Sequence, residues 1–272
     1  MPACVTYPGI VGSFSWGAAR NAFPDAELHG IESFSGVAEA ALSWADCALL
    51  PIENSTAGAV RTTWELLEKL PLFIVGEARH RVRHHLLGVR GASLAVITQI
   101  SSHPQALAQC DVFLSALRGV QLLPSANTAI SAREAAQRGD PAFAAIASEE
   151  AAEVYGLDFL ARDIQTSQVN TTRFVILSRQ MRPLDKPNKA TITFRLAHRV
   201  GALARVLDSF ALSGLNMTRI ESRPLPDQPF EYSFTADFAG EMDEASLHAA
   251  LQAASAHTVS LRLLGRYRAS GG

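Results

Sequence analysis

The sequence is poor in cysteine, and the few cysteines show no pattern. Its 272 residues include three, Cys4, Cys47 and Cys110, an odd number without the spacing of a metal site. A disulfide framework needs paired cysteines and an oxidising compartment, so we expect reduced thiols. The basic stretch 79–85 contains three histidines, but their alternation fits a solvated strand face better than a metal or nucleic-acid site. We therefore expect no metal site in either set of residues.

The chain also lacks an excess of charge of one sign and any long apolar run. Its 24 Lys and Arg against 26 Asp and Glu give a net charge of -2, which offers no bulk attraction to nucleic acid or acidic membranes. No apolar stretch approaches the roughly 20 residues that cross a bilayer. Residues 1–4 lack the basic start and apolar core of a secretory signal. We expect a cytoplasmic protein with neither nucleic acid nor membrane as a partner.

What the sequence does contain is an alternation of short apolar runs with amphipathic stretches. The runs that predict strands are residues 4–7, 48–52, 72–75, 94–98, 120–123 and 143–147. The stretches 60–70 and 104–117 predict helices. We expect Asn54 or Ser55 to cap the first helix and Pro104 to begin the second. This alternation is typical of an α/β domain with a mainly parallel sheet.

The pattern changes after the charged, proline-containing stretch 181–189, which we interpret as a linker. Beyond it, periodicity and turn residues predict strands at 191–196, 216–222, 230–238 and 259–264, helices at about 203–210 and 243–255, and a turn at 224–229. Gly214 is expected to end the first of these helices. The order β-α-β-β-α-β is that of a ferredoxin-like domain, a sheet with both helices on one face.

Two polar stretches lie at the ends of predicted strands. Residues 53–55, Glu-Asn-Ser, follow one apolar run, and residues 170–173, Asn-Thr-Thr-Arg, precede another. Strand ends of an α/β scaffold converge on a crevice where ligands bind. Amides, hydroxyls, a carboxylate and a permanent cation in that position predict a site for a small anion that needs a proton delivered to it.

In six segments the chain resembles the prephenate dehydratases, and the segments occur in the family's order. They are Gly12-Ser13-Phe14-Ser15, Pro51-Ile52-Glu53-Asn54-Ser55 with Gly58, Ser102-His103-Pro104-Gln105 continuing to Gln109-Cys110, Asn170-Thr171-Thr172-Arg173-Phe174, Gly201-Ala202-Leu203 and Glu221-Ser222-Arg223-Pro224. Three features depart from the family's pattern. Pro8 precedes Gly9, whereas the family usually has glycine before proline. Ser13 stands where threonine is usual, and Val200 replaces the usual proline.

The resemblance implies decarboxylative dehydration of prephenate to phenylpyruvate, CO2 and water, a step of phenylalanine synthesis. Prephenate carries two carboxylates and a ring hydroxyl, and losing CO2 and water makes its ring aromatic. Aromatisation drives the reaction, so the chemistry requires no cofactor. The protein has to hold a dianion in one pose and supply a proton to the departing hydroxide.

The resemblance also implies the residues of the site. The implied catalytic residues are Thr172, Glu53, Asn54 and Gln109, and the implied substrate-binding residues are Ser13, Ser55, Ser102, Arg173 and Phe174. Thr172 would donate to the departing hydroxyl, and Arg173 can grip a carboxylate bidentately. Two alternatives stay open: Glu53 orients Thr172 or pairs with an arginine, and Phe174 lines the substrate or packs in the core. Cys110 has no base beside it in sequence and is interpreted as a packing residue.

The second predicted domain resembles an ACT domain, a module that binds amino acids at its own dimer interface. The implied effector-binding residues are Gly201, Ala202, Leu203, Asn216, Glu221 and Ser222. We therefore expect a homodimer or homotetramer that L-phenylalanine regulates. A purely structural dimerisation domain is the alternative.

For the whole chain, the resemblance implies a catalytic domain at residues 1–180 with two lobes, like a periplasmic ligand-binding protein. The lobes would be about 1–75 plus 160–180, and 76–159, followed by the linker 181–189 and the ACT domain 190–272. Residue 1 lies so near the first predicted strand that we expect no chorismate mutase domain. Two other functions stay open: an arogenate dehydratase, with the same chemistry on the amino-acid analogue, and a non-catalytic amino-acid-binding sensor.

Overall fold

The structure is a computed structural model that describes residues 2–181, 184, 186–197, 199–225, 228–240 and 242–270. The chain divides into two compact units, one of Met1–Thr63 with Arg79–Phe174 and the other of Trp64–Ala78 with Val175–Gly272. Within the described residues, no helix is long and apolar enough to span a membrane.

The chain up to residue 178 alternates strands and helices. The strands are β1 Cys4–Pro8, β2 Glu27–Ile31, β3 Cys47–Asn54, β4 Gly58–Ala59, β5 Phe73–Arg81, β6 His85–Gly88, β7 Gln99–Ser102, β8 Gln121–Pro124, β9 Phe143–Ala147, β10 Asp158–Ala161 and β11 Thr171–Ser178. The helices are α1 Phe14–Ala22, α2 Phe34–Ser43, α3 Arg61–Lys69, α4 Pro104–Gln109, α5 Asp111–Ser115, α6 Thr128–Arg138 and α7 Glu149–Tyr155. One sheet has the order β2-β1-β3-β11-β5, with β4 paired to β3, and a second has the order β10-β6-β9-β7-β8.

The pattern of apolar residues explains both sheets. In the first sheet, β1 pairs in parallel with β2 and β3, and β3 is a nearly continuous buried run, as expected of a strand covered on both faces. In the second sheet, neighbouring residues alternate between two cores. Leu86 and Ile146 pack in one core, whereas Leu87 and Ala145 pack in the other, because side chains along a strand point to opposite faces.

The connections after the strands place helix starts where ligands bind in α/β folds. Strand β1 leads to α1, β7 to α4 and β8 to α6. Each of these helices has a side-chain cap at its first turn, supplied by Ser13, His103 and Asn127 respectively. These caps fix the helix starts at the carboxyl ends of the strands.

The C-terminal part folds as β12 Lys189–Arg195, α8 Ala202–Leu212, β13 Asn216–Leu225, β14 Gln228–Ala239, α9 Glu244–Ser255 and β15 Ser260–Tyr267. Its sheet is antiparallel with the order β13-β14-β12-β15. The core contains Ile192, Phe194, Val206, Phe210 and Phe238. The predicted β-α-β-β-α-β order is confirmed.

The predicted fold class, a two-lobed α/β part followed by a βαββαβ part, is therefore confirmed. The domain, lobe and linker boundaries stay a prediction. In the predicted linker, Arg182, Pro183 and Asp185 lie outside the described residues, as do Pro226 and Asp227 in the predicted turn.

Three local predictions were wrong. Residues 94–98 do not form a strand: Leu94–Val96 is a 3-10 helix whose apolar side chains are exposed, and the strand begins only at Gln99. The stretch 104–117 contains two short helices, because the backbone leaves helical geometry at Cys110.

The third concerns the predicted cap of α3, a helix that begins only at Arg61. The amide oxygen of Asn54 accepts from the backbone N–H groups of Thr56 and Ala57 at 3.0 Å each, so Asn54 closes a local turn instead. Pro104 does begin its helix, as predicted.

A buried ion cluster lies in the second unit. The Lys189 ammonium lies 2.8 Å from the Glu77 carboxylate and 3.9 Å from that of Asp237. The side chains of Glu77 and Asp237 are 0% and 2% exposed. Two carboxylates buried this deeply are tolerated only beside a cation.

We expect Lys189→Met to lower the free energy of unfolding by roughly 3–5 kcal/mol, because it leaves buried carboxylates without this cation. The matched control is Arg20→Met, which removes the cation of the exposed pair Arg20–Glu153 and should cost less than about 1 kcal/mol. Chemical denaturation of both variants measures the difference. Equal small losses in the two variants would show that the buried cluster does not stabilise the unit.

Candidate active site

A cleft of about 470 Å³ opens within the first unit. It is bounded by chain segments that follow strands of both sheets. Its polar lining residues are Ser13, Ser15, Asn54, His84, His103, Gln105, Gln109, Asn127, Thr128, Asn170 and Thr172, and Phe14 and Phe174 are among its apolar ones. Five residues of the predicted site, Ser13, Asn54, Gln109, Thr172 and Phe174, line this one cleft, although they span 161 positions of the sequence.

The electrostatic character of the cleft comes from helix starts and neutral polar groups. At the start of α1, Ser13 Oγ accepts from the N–H of Trp16, and at the start of α6, Asn127 Oδ1 accepts from that of Ala129. Both caps line the cleft, and the N-terminus of a helix favours a bound anion. Since the described lining residues include neither lysine nor arginine, these dipoles and the amide N–H groups would attract an anion.

Four side chains at the cleft form a closed ring of hydrogen bonds. Asn54 Nδ2 donates to Asn170 Oδ1 at 2.8 Å, and Asn170 Nδ2 donates to Gln109 Oε1 at 3.1 Å. Gln109 Nε2 donates to Thr56 Oγ1 at 3.1 Å, and Thr56 Oγ1 donates to Asn54 Oδ1 at 2.7 Å. We call this set the amide ring. Every donor points the same way around it, an arrangement in which hydrogen bonds strengthen one another.

Thr172 is attached to the amide ring at Asn54. The second hydrogen of Asn54 Nδ2 is donated to Thr172 Oγ1 at 2.9 Å. A threonine hydroxyl has one hydrogen to give and two lone pairs, so the amide occupies one lone pair and leaves the hydrogen available. The arrangement therefore allows Thr172 to act as a hydrogen-bond or proton donor to a ligand.

His84 is attached to the amide ring at Gln109, with 2.8 Å between His84 Nε2 and Gln109 Oε1. Its ring meets that of Phe14 edge-on, with 5.4 Å between the centroids. Burial lowers the pKa of His84, partly opposed by the hydrogen bond to Gln109. Burial also lowers the pKa of His80, an effect that the charge of Glu150 3.6 Å away opposes. The pKa of His85 is likewise lowered by burial.

Other predicted site residues lie beside the cleft and not among its lining. Arg173 is buried, and its guanidinium contacts the Glu53 carboxylate at 3.1 Å, so the cation predicted to bind substrate is paired with a protein carboxylate. Ser102 is fully buried, and its hydroxyl donates to the carbonyl of Ile146 at 2.7 Å. Ser55 Oγ accepts from the N–H of Thr171 at 3.0 Å. The roles assigned to these residues stay predictions.

Phe174 is 1% exposed and also lines the cleft, so it packs in the core while forming part of the cleft wall, and its contact with substrate stays a prediction. Cys110 is fully buried, and burial raises the pKa of its thiol to about 12. A thiol that holds its proton so firmly packs as an apolar side chain.

Several residues of the site were not assigned by sequence reasoning, among them Thr56, His84, Asn127 and Asn170. Asn170 opens a segment that already pointed to the site, and Asn127 precedes a helical stretch as a cap does. His84 was assigned to a solvated strand face, yet it is 3% exposed. Nothing local distinguishes His84 from its neighbours, since its partner Gln109 lies 25 positions away.

The predicted effector residues lie in the second unit and fall into two groups. Gly201 caps α8 with φ 74°, a left-handed conformation that favours glycine. Ala202 and Leu203 line a cavity of about 390 Å³. Asn216, Glu221 and Ser222 lie on β13, at the edge of the sheet, and do not line that cavity. Glu221 is paired with Arg219.

Fold and cleft together define a class: a two-lobed α/β protein whose cleft places helix starts beside a positioned hydroxyl donor. The sequence profile of the prephenate dehydratase family matches residues 5–182. The chain belongs to the prephenate dehydratase family, as the resemblance predicted.

Individual relatives extend the likeness to nearly the whole chain. Arogenate dehydratase/prephenate dehydratase 2 of Arabidopsis thaliana, a chloroplastic protein, is 38% identical over 97% of this chain and 72% of its own length. The prephenate dehydratase of Arthrobacter aurescens, solved in complex with L-Phe, is 31% identical, covers 97% of this chain and 89% of its own, and has a TM-score of 0.87. GqqA, described as a novel type of quorum quenching acylase, is 35% identical over 98% of both chains, with a TM-score of 0.88.

The lowered pKa values of His80, His84 and His85 predict how stability changes with pH. Because the unfolded chain protonates these histidines more readily, their contribution is complete above about pH 6.5 and is lost as pH falls through the folded pKa values. We expect the free energy of unfolding to fall between pH 8 and pH 5.5.

In His84→Gln the fall should be smaller, because one of the three groups is gone. His248→Gln, which alters an exposed histidine on α9, should keep the full pH dependence. Chemical denaturation at both pH values measures these slopes, and stability that is constant or rises toward pH 5.5 would contradict the prediction.

Proposed function

We propose that this chain converts prephenate to phenylpyruvate, CO2 and water, and that L-phenylalanine regulates it. The observation that carries the proposal is the Thr172 hydroxyl, held by Asn54 at a distance of 2.9 Å in a cleft where helices α1 and α6 begin. Membership of the prephenate dehydratase family supports the same reaction.

The chemistry fits the groups in the cleft. The bond between the ring and its carboxylate breaks to release CO2, and the electron pair moves into the ring as the hydroxyl leaves with one added proton. Helix starts and amide N–H groups meet the two carboxylates, and Thr172 donates to the departing oxygen. Because Thr172 is a weak acid, the proton that it donates has to be replaced through a neighbouring group or a water molecule.

The competing substrate is arogenate, which carries an ammonium group where prephenate has a keto oxygen. The Arabidopsis relative carries both activities in its name. The polar groups of the described cleft lining are hydroxyls, amides and two imidazoles. Such groups donate to a keto oxygen directly, whereas an ammonium group binds best to a carboxylate. This composition favours prephenate.

The acylase activity named for GqqA is a second candidate. Acyl transfer needs a nucleophile activated by a base or by a lowered pKa. Among the described residues, Thr172 is bonded to an amide rather than a histidine, and the pKa of Cys110 is raised, not lowered. These observations favour the dehydratase.

For regulation, we propose that the βαββαβ part is an ACT domain and binds L-phenylalanine between two copies of the chain in a dimer or tetramer. The relative from Arthrobacter aurescens was solved with L-Phe and is 31% identical. Gly201 places the start of α8 beside a cavity in this part of the chain, and the edge strand β13 carries Asn216 and Glu221. We also propose the cytoplasm as the compartment.

The test measures phenylpyruvate formation from prephenate and phenylalanine formation from arogenate, each with and without L-phenylalanine. We expect prephenate turnover that changes on adding phenylalanine, and a thermal shift that shows binding. Preference for arogenate would overturn the substrate assignment. If well-folded protein turned over neither substrate, the chain would be a sensor or an acylase, which an amide-hydrolysis assay separates.

Thr172→Ala tests the proposed donor. We expect turnover of prephenate to fall about 100-fold or more, because the departing hydroxyl loses its donor. The matched control is Thr171→Ala, the same change at a neighbouring residue that does not line the cleft. Near-normal turnover of the Thr172 variant, with both variants folded, would remove Thr172 from the mechanism.

A further inference from the structure

We propose that His84 is a positioning residue of this site. As a neutral imidazole with its hydrogen on Nε2, it donates to Gln109 and thereby fixes the direction of the hydrogen bonds around the amide ring. In that direction, the hydrogen of Thr172 stays available to substrate. The tautomer follows from the hydrogen-bond geometry alone, and only the effect on turnover rests on the proposed function.

The direction in which hydrogen bonds are donated around the amide ring is fixed at the turn after β3. The amide oxygen of Asn54 faces the backbone N–H groups of Thr56 and Ala57, each at 3.0 Å. A backbone N–H can only donate, so the atom of Asn54 that faces them is an oxygen. Its nitrogen therefore points the other way, toward Asn170 and Thr172.

This assignment propagates through the side chains one hydrogen bond at a time. Since Asn54 presents a nitrogen, the atom of Asn170 that meets it is the oxygen, and the nitrogen of Asn170 faces Gln109. Gln109 therefore presents its oxygen to Asn170. The same oxygen lies 2.8 Å from His84 Nε2, so Nε2 has to carry the hydrogen. The backbone N–H groups of Thr56 and Ala57 thus determine the tautomer of His84, which lies 28 and 27 positions further along the chain.

Reversing the amide ring shows why its sense matters for Thr172. In the reversed ring, Asn54 would turn its oxygen toward Thr172, and the Thr172 hydroxyl would donate its hydrogen to that oxygen and not to substrate. Gln109 would then present its nitrogen to His84, which would have to accept on Nε2 and carry its hydrogen on Nδ1. His84 with a hydrogen on Nε2 opposes this reversal at Gln109, as the turn N–H groups oppose it at Asn54.

The surroundings of His84 fit a fixed donor. The side chain is buried, its ring is set edge-on against Phe14, and its own backbone N–H donates to Gln165 at 2.9 Å. Among the described residues, the buried Nδ1 has no protein partner, consistent with a nitrogen that carries no hydrogen. Burial, which lowers the pKa of His84, keeps the ring neutral.

The first test is the nitrogen-15 spectrum of protein labelled at histidine, at pH 8. The resonances missing from His84→Gln identify His84. We expect a protonated Nε2 and an unprotonated Nδ1. A hydrogen on Nδ1 would overturn the inference whether or not the protein turns over prephenate, and the expected tautomer in a protein without turnover would overturn the proposed function alone.

The second test compares two substitutions by steady-state kinetics. His84→Phe keeps the ring volume and removes the donor, so we expect kcat to fall about tenfold, the value of one hydrogen bond, with little change in KM. His84→Gln places an amide donor near the position of Nε2 and should recover most of that loss. Thermal unfolding shows that both variants fold. If both variants lost kcat equally, or if only KM changed, His84 would not position the donor.

Discussion

The organisation of the cleft depends on one small interaction, the pair of backbone N–H groups that bind the amide oxygen of Asn54. Amide nitrogen and oxygen are similar in size, so packing alone would leave Asn54, Asn170 and Gln109 free to turn over. The turn at Thr56 and Ala57 removes that freedom, because its two backbone N–H groups can only donate and therefore select the oxygen of Asn54. Everything attached to the amide ring, from Thr172 to His84, is oriented by this contact.

The described lining of the cleft uses neutral dipoles and not a charged side chain to attract an anion. Arg173, the permanent cation next to Thr172, is paired with Glu53 at 3.1 Å. The described cleft lining offers an anion helix starts, amides and hydroxyls instead. Fixed dipoles of this kind stabilise charge without having to reorganise. A dianion that loses CO2 and hydroxide changes its charge distribution during the reaction, and preoriented neutral donors suit such a change.

Much of this architecture could be predicted from the sequence. The buried run before Asn54, the helix start at Pro104 and the βαββαβ order follow from periodicity and turn residues, which are local signals. The errors are also informative. Leu94 and Val96 are apolar but exposed, so the apolar run did not indicate a buried strand there. Asn54 was predicted to cap a helix but closes a turn.

The site was only partly predictable for a different reason. Ser13, Asn54, Gln109, Thr172 and Phe174 were named because their segments resemble those of a family, and the structure brings them together. The amide ring links residues up to 116 positions apart, so no local pattern could reveal that Thr56 belongs to it or that His84 is bonded to it. Nor could sequence show that Arg173 faces Glu53 and not the cleft.

A double-mutant cycle on Asn54 and Thr172 tests the central claim most directly, that Asn54 directs the hydroxyl of Thr172. Turnover of prephenate would be measured for Asn54→Ala, Thr172→Ala and the double variant. If the two residues act as one unit, the double variant will be little slower than Thr172→Ala alone, because Asn54 has no hydroxyl left to direct. Losses that multiply independently would contradict the account.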